Sequence, residues 1–146
     1  MPDLEIVPAT PADVDAVHSI EQASFPSPWR REFFAAEVVA ESRYNIVAKK
    51  DDVVIGYLFG MWIFDEFHVN KIAVEASHRR QGIANALMER CFEFAFAHEI
   101  STISLEVRQS NRSAQEFYRC LEFETSYIRK RYYPDGEAAV VMVRAM

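Results

Sequence analysis

Phe67-His68-Val69-Asn70-Lys71-Ile72-Ala73-Val74, then Glu75-Ala76-Ser77-His78-Arg79-Arg80-Gln81-Gly82, then Ile83 to Ala97 (IANALMERCFEFAFA): these three runs organise the chain. The first reads as a buried strand and the second as a short polar turn. The third is a long amphipathic helix that opens at Arg80-Gln81-Gly82 and carries Ile83, Leu87, Met88, Cys91, Phe92 and Ala95 at helical spacing. The turn Arg79-Arg80-Gln81-Gly82-Ile83-Ala84 puts a glycine and two arginines where the helix begins. The first N–H groups of a helix have no partner inside it, and the dipole there favours negative charge. A strand feeding such a turn forms a cradle for a phosphorylated ligand. A plainer reading stands beside it, in which Gly82 permits close packing and the arginines are solvated. Because the apolar face of the helix fixes where it starts, the anion-holding pocket is the reading carried forward.

On either side the pattern is regular. Leu4 to Pro8 reads as a strand, and Thr10-Pro11-Ala12-Asp13 as a helix start with a hydroxyl cap, proline at the first position and an acid in the first turn. Val14, Val17 and Ile20 or Glu21 continue that helix to about Phe25-Pro26. Ser27-Pro28 repeats the start signal, and a second helix is predicted to run to about Ser42 with Trp29, Phe33, Phe34, Val38 and Val39 as its apolar set. These aromatics are either core or the wall of a substrate groove beside the proline-bearing loop. Strands are predicted over Tyr44 to Lys49 and Val53 to Phe64, joined by a hairpin at Lys50-Asp51-Asp52, with Asp65-Glu66 as the next turn. After the long helix, Ile103, Leu105 and Val107 share one strand face and Ser104 and Glu106 the other. Ser110-Asn111 caps a helix from Arg112 to Leu121, and Phe123 to Tyr127 and Ala139 to Val143 close the chain as strands around Pro134-Asp135-Gly136. The order β α α β β β α β α β β contains one strand–helix–strand crossover. It implies a mixed, mostly antiparallel α/β sheet with one parallel pair.

At 146 residues, half of them hydrophobic and only four of them glycine, the chain is expected to fold as a single domain, residues 1–146, with a real core. The net charge of −6 argues against broad contact with nucleic-acid phosphates and favours cationic partners such as amines and basic peptides. Cys91 and Cys120 read as two buried, reduced thiols. Met1-Pro2-Asp3-Leu4-Glu5 has no signal-peptide pattern and no apolar run approaches membrane-spanning length, so a soluble cytoplasmic protein is expected. His18, His78 and His98 show no metal-ligand spacing.

Arg79-x-x-Gly82-x-Ala84 following Ile72-Ala73-Val74 resembles the acetyl-CoA motif of the GCN5-related N-acetyltransferase (GNAT) superfamily. Leu105-Glu106-Val107-Arg108, then Asn111, Tyr118 and Arg131-Tyr132-Tyr133-Pro134, together with Phe25-Pro26 and Pro28-Trp29, are similar to its bacterial RimI branch. That group acetylates the N-terminal alanine amine of a small-subunit ribosomal protein. The resemblance covers nearly the whole chain. It implies the GNAT fold, with helices on both faces and the parallel strands splayed to hold acetyl-CoA as co-substrate, with no metal. It further implies that the backbone of Ile72, Ala73 and Val74 pairs with the pantetheine arm, and that the turn from Arg79 and Arg80 through Gln81, Gly82, Ile83 and Ala84 to Asn85 holds the pyrophosphate. Asn111 would hydrogen-bond the cofactor, Glu106 would be the general base and Tyr118 the general acid. The implied partner is a basic protein N-terminus, with no direct nucleic acid or membrane contact, and the enzyme would be a monomer or weak homodimer. Ala84 stands for the more usual second glycine, Lys71 for a frequent asparagine, Glu122 within what is commonly Leu-Gly-Phe, and Ala138 for a frequent aspartate.

Elementary chemistry stands beside the resemblance. A protonated amine cannot attack a thioester, so a proton must leave it. Glu106, at the end of a central strand and on the face opposite Leu105 and Val107, is placed to take that proton; the alternative is a solvated strand-end acid. Tyr118 is either the donor to the departing thiolate or a core tyrosine. Glu66 and His68, at the entry to the preceding strand, are rival bases, and Glu66 a candidate substrate contact. Arg129-Lys130-Arg131 with Tyr132-Tyr133 reads as an RNA contact or as a solvated strand end; the resemblance implies instead a hairpin that flanks the substrate groove together with the Pro26 to Trp29 loop, with Tyr132 the peptide contact. Three functions therefore compete: acetyl transfer to a protein N-terminus, acetyl transfer to a small amine or lysine, and non-catalytic acyl-CoA binding.

Overall fold

Among the described residues, alternating β-branched and aromatic residues give seven strands, and the apolar stripes between them give four helices. The computed structural model describes residues 3–146; Met1 and Pro2, part of the leader reading, lie outside the described residues. In chain order the elements are β1 (Leu4–Pro8), α1 (Val14–Ser24), α2 (Arg31–Val39), β2 (Arg43–Lys50), β3 (Val53–Ile63) and β4 (Glu66–Val74). There follow α3 (Ile83–Ala97), β5 (Thr102–Arg108), α4 (Arg112–Cys120), β6 (Glu124–Arg129) and β7 (Ala139–Ala145), with short 3-10 turns at Pro11–Asp13 and Ala76–His78. The strands form one sheet in the order β1-β2-β3-β4-β5-β7-β6. Every neighbouring pair is antiparallel except β4 with β5, whose connection runs through α3. The mixed sheet with one central parallel pair is the topology expected from the order of elements.

Each face of the sheet buries its own core. Leu58, Phe67, Ile103, Leu105 and Met142 meet Leu87, Met88 and Cys91 of α3 and Tyr118 of α4 on one face. Val47, Tyr57, Phe59 and Ala73 meet Val14, Val17 and Ile20 of α1 and Phe34 of α2 on the other. Central β3 feeds both, so Tyr57, Leu58 and Phe59 are all buried, as a strand covered on two faces requires. The β3–β4 register slips between Phe59 and Gly60, leaving Asn70 unpaired between Lys71 and Val69. Gly60 sits under the Phe67 ring, where an added Cβ would lie 2.4 Å from a ring carbon.

Several boundaries differ from the sequence reading. The second helix begins at Arg31, not Ser27, and ends at Val39, not Ser42. The Trp29 N–H is drawn onto the Glu21 carboxylate at 2.9 Å, and Arg30 is extended (φ −72°, ψ 152°), so Ser27 to Arg30 remain a loop. Only Phe34 of α2 is buried; Phe33 and Val39 face solvent. The β3–β4 turn falls on Phe64-Asp65, with Phe64 left-handed (φ 55°), and Glu66 already belongs to β4. Glu122 takes the left-handed conformation that glycine would suit (φ 69°), and Arg144 holds it by donating to Leu121 O (2.9 Å) and Glu122 Oε2 (3.3 Å). Cys91 is buried, and desolvation pushes its thiol up to about 12, but Cys120 is exposed at the end of α4. A thiol reagent should therefore label Cys120 in the native protein and reach Cys91 only in denaturant; mass spectrometry of the labelled peptides checks this.

Candidate active site

The sheet opens at its centre. β4 and β5 pair only through Glu66–Thr102, Phe67–Ile103 and His68–Ser104. Beyond these pairs the strands part, so the backbone of Ile72, Ala73 and Val74 has β3 on one side and a cleft of about 410 Å³ on the other. The start of α3 and one side of α4 complete that cleft. Arg80 (φ 60°) and Gly82 (φ 80°) are both left-handed and flank Gln81, which curls the turn inward. The first hydrogen bond of α3 runs from Ala86 N–H to Gly82 O (3.0 Å), so the N–H groups preceding it are unpartnered by the helix. No acidic residue stands in the first turn to compete for them. An L-residue at φ near 60° is strained by roughly 1–3 kcal/mol, strain of the kind found at ligand clamps. Arg79 pins the turn by donating from Nε to Val74 O (3.0 Å) and from a terminal nitrogen to Ser24 Oγ (3.3 Å).

A second cavity, about 680 Å³, lies across the parted strands between the loop Ser24–Trp29 and the segment Tyr132–Pro134. The two cavities share Ile72, Asn111, Ala114 and Tyr118. Asn111 caps α4, its side-chain oxygen accepting from Ala114 N–H at 3.2 Å, which leaves its amide NH2 free to donate. Tyr118 packs edge-on against Phe117 and Phe123, and burial pushes its phenol well above the ordinary range, so it stays protonated at neutral pH.

Glu106 faces the second cavity from β5. His68 Nε2 lies 2.8 Å from its Oε2, and the Tyr132 hydroxyl donates to its Oε1 at 3.2 Å. Burial alone would raise this carboxyl, but the His68 hydrogen bond and charge, with the Tyr132 hydroxyl, outweigh it and hold the group below its ordinary value. Burial likewise works to lower His68, and the Glu106 contact outweighs it, leaving the imidazole raised.

Both walls of this cavity are tied down by charge. Glu21, fully buried on α1, accepts from the Tyr57 hydroxyl (2.5 Å) and the Trp29 N–H (2.9 Å) and pairs with Lys71 Nζ (3.0 Å). Lys71 Nζ in turn lies over the rings of Phe25 (4.1 Å) and Trp29 (5.4 Å). On the opposite wall, one nitrogen of Arg108 bridges Asp135 and Glu137 at 2.8 Å each, and its guanidinium stacks 4.1 Å from the Tyr133 ring centre. Glu137 also accepts Ser110 N–H (2.8 Å), which fastens the segment to the start of α4.

Residues 14–123 match the model of the Acetyltransferase (GNAT) family. The chain belongs to this family. A ribosomal protein bS18-alanine N-acetyltransferase of Escherichia coli is 32% identical over 133 residues, covering 89% of each chain. The crystal structure of the ribosomal-protein-S18-alanine N-acetyltransferase from Escherichia coli superposes with a TM-score of 0.91 at 30% identity, over 98% of this chain and 94% of that one. Ard1 of Thermoplasma volcanium gives 0.92 at 25% identity, over 98% and 97%.

Within this GNAT fold most of the residues singled out from sequence come together. Ile72, Ala73, Val74, Arg79, Arg80, Gly82, Ile83, Ala84, Asn85 and Asn111 line the first cleft, and Trp29, Glu106 and Tyr132 the second. Two do not arrive. Gln81 points its side chain away, accepting from Lys50 Nζ at 3.0 Å, and only its backbone faces the turn. Glu66 lines neither cavity: it is the exposed first residue of β4, beside Thr102, on the closed side of the point where the strands part. His68, its rival two residues on, sits where they part. Sequence reasoning gave no role to Glu21, Tyr57 and Lys71. The available signal was an acid at a core position of α1, one residue from Ile20.

Proposed function

We propose that this GNAT enzyme transfers the acetyl group of acetyl-CoA directly to the N-terminal α-amine of a protein, a small-subunit ribosomal protein being the acceptor. The observation that carries the reading is the meeting of two cavities at Tyr118, one with an anion-holding helix start and a free strand edge, the other with Glu106. The first suits acetyl-CoA: it offers an unpaired backbone edge for an amide-bearing arm, free N–H groups for a diphosphate and a largely apolar lining. When bound there, acetyl-CoA supplies the activated thioester carbonyl. Ile72 to Val74 would hold the pantetheine arm through their backbone, the N–H groups of Arg80 to Asn85 the pyrophosphate, and the free amide of Asn111 would donate alongside.

Glu106 is the group to receive the proton that the acceptor amine must lose. An α-amine has a reference pKa about 2.5 units below that of lysine, so deprotonating it costs about 3.4 kcal/mol less. A carboxylate held below its ordinary value is a weak base, which favours the more acidic acceptor. Tyr118, kept protonated by burial, would donate its proton to the departing sulfur. The net charge of −6 suits a basic protein N-terminus rather than nucleic acid, and such an acceptor puts the enzyme in the cytoplasm.

Incubating the protein with acetyl-CoA and a mixed peptide panel, then locating the acetyl group by mass spectrometry, tests the reading. Acetyl on the α-amine of ribosomal N-terminal peptides is expected. Acetyl confined to lysine side chains, or no turnover on any amine, would overturn it.

A further inference from the structure

We propose that His68 and Glu106 act as one proton-accepting pair, in which the imidazole holds the proton that the acceptor amine gives up. The inference rests on the acetyltransferase reading above and extends its base from Glu106 alone to Glu106 with His68. The ring is held at both ends. His68 Nε2 lies 2.8 Å from Glu106 Oε2, and Nδ1 lies 2.6 Å from the side-chain oxygen of Asn70, two residues along β4 at the bulge. Both partners are acceptors, so only a ring with N–H on both nitrogens satisfies both contacts. A neutral ring turns a lone pair towards the carboxylate or towards the amide oxygen. His68, Asn70 and Glu106 all line the acceptor cavity.

The carboxylate alone is poorly matched to its task. With both oxygens engaged, by His68 and by Tyr132, it is held below the ordinary value. An ordinary glutamate already lies about 3.5 units below an α-ammonium, and Glu106 is held lower still. An imidazole starts only about 1.3 units below the ammonium, and the contact with Glu106 raises it further, closing the gap. The other charged and titratable groups facing the pair are accounted for. Arg129 of β6 opposes protonation of the ring. Lys71 of β4 is neutralised by Glu21, and Arg108 of β5 by Asp135 and Glu137. Tyr133 stacks under Arg108, and Tyr132 donates to Glu106.

The protons balance. The first proton of the ammonium passes to the His68–Glu106 pair, leaving a neutral amine. As the C–N bond forms and the C–S bond breaks, Tyr118 protonates the sulfur and the second amine proton replaces the one it gave. His68 then releases its proton to solvent.

Two measurements test the pair. In the first, the imidazole of His68 is titrated by NMR in the wild-type protein and in Glu106→Gln, independently of turnover. The wild-type ring should titrate above the ordinary 6.5 or so and fall by about one unit or more in the variant; equal values would overturn the pair even in an active enzyme. In the second, His68→Ala should lose roughly 10²-fold or more in kcat while keeping its acetyl-CoA affinity. Added imidazoles should restore turnover in the order of their pKa values. Full activity in His68→Ala, or a loss that no imidazole restores, would overturn the assignment. Wild-type protein inactive on every amine would instead overturn the acetyltransferase reading, while the NMR result still decides whether the pair exists.

Discussion

Glu106→Gln should lower kcat by roughly 10² to 10⁴-fold and leave acetyl-CoA affinity within a factor of two. Glutamine keeps the size of the side chain, and its amide oxygen can still accept from Tyr132, so the strand end is not disturbed. What disappears is the negative charge beside His68, 2.8 Å away, and with it the capacity of the pair to take a proton near neutral pH. The first cleft does not include Glu106, which is why cofactor binding should be spared. Steady-state kinetics on an N-terminal peptide, with acetyl-CoA affinity from calorimetry, checks both halves. Turnover equal to wild type would remove Glu106 from the chemistry.

The same pair carries a pH dependence. Glu106 is lowered, so its contribution to stability is present above the unfolded carboxyl value and is lost as pH falls through the lower folded one. His68 is raised, so its contribution is full below about 6.5 and is lost as pH rises through the higher folded value. The ion pair is thus strongest in mildly acidic solution. Proton acceptance needs the ring free, so activity should rise with pH through the His68 value while this part of the stability declines.

The parts of this architecture that were legible in the sequence are those that repeat locally. The α3 stripe from Ile83 to Ala95, the turn glycine at 82 and the alternation of Ile103, Leu105 and Val107 report their own geometry through a period of 3.6 or 2. Asn111 announced a cap, and it is one. What failed to show depends on partners far along the chain. Ser27-Pro28 carries a sound start signal, but the carboxylate of Glu21 takes the Trp29 N–H and delays the helix to Arg31. Glu66 and His68 share a strand face and look alike as candidate bases. What separates them in space is where β4 leaves β5, a property of both strands together. Lys71 read as a departure from the family pattern; its function became visible only with the buried acid opposite it.

That acid makes Lys71→Met the most destabilising single substitution expected here. Glu21 is fully buried and has three partners: the Tyr57 hydroxyl, the Trp29 N–H and Lys71 Nζ. Only Lys71 brings opposite charge. Methionine fills a similar volume under Phe25 and Trp29 but leaves a carboxylate in the core without a counter-charge. Breaking a buried pair in this way costs about 3–5 kcal/mol, and for a chain of this size each kcal/mol lowers Tm by about 2–4 °C. A fall of roughly 10 °C is therefore expected in thermal denaturation. Glu21→Gln combined with Lys71→Met should recover most of it, because the amide oxygen still accepts from Tyr57 or Trp29 and no charge remains buried. The same network fixes the loop from Phe25 to Trp29, one wall of the acceptor cavity. The single variant, assayed below its melting range, should consequently raise KM for the peptide more than it lowers kcat, because the loosened wall positions the acceptor and takes no part in the proton transfers. A melting temperature within 2 °C of wild type would show that Glu21 does not depend on Lys71 for its charge balance.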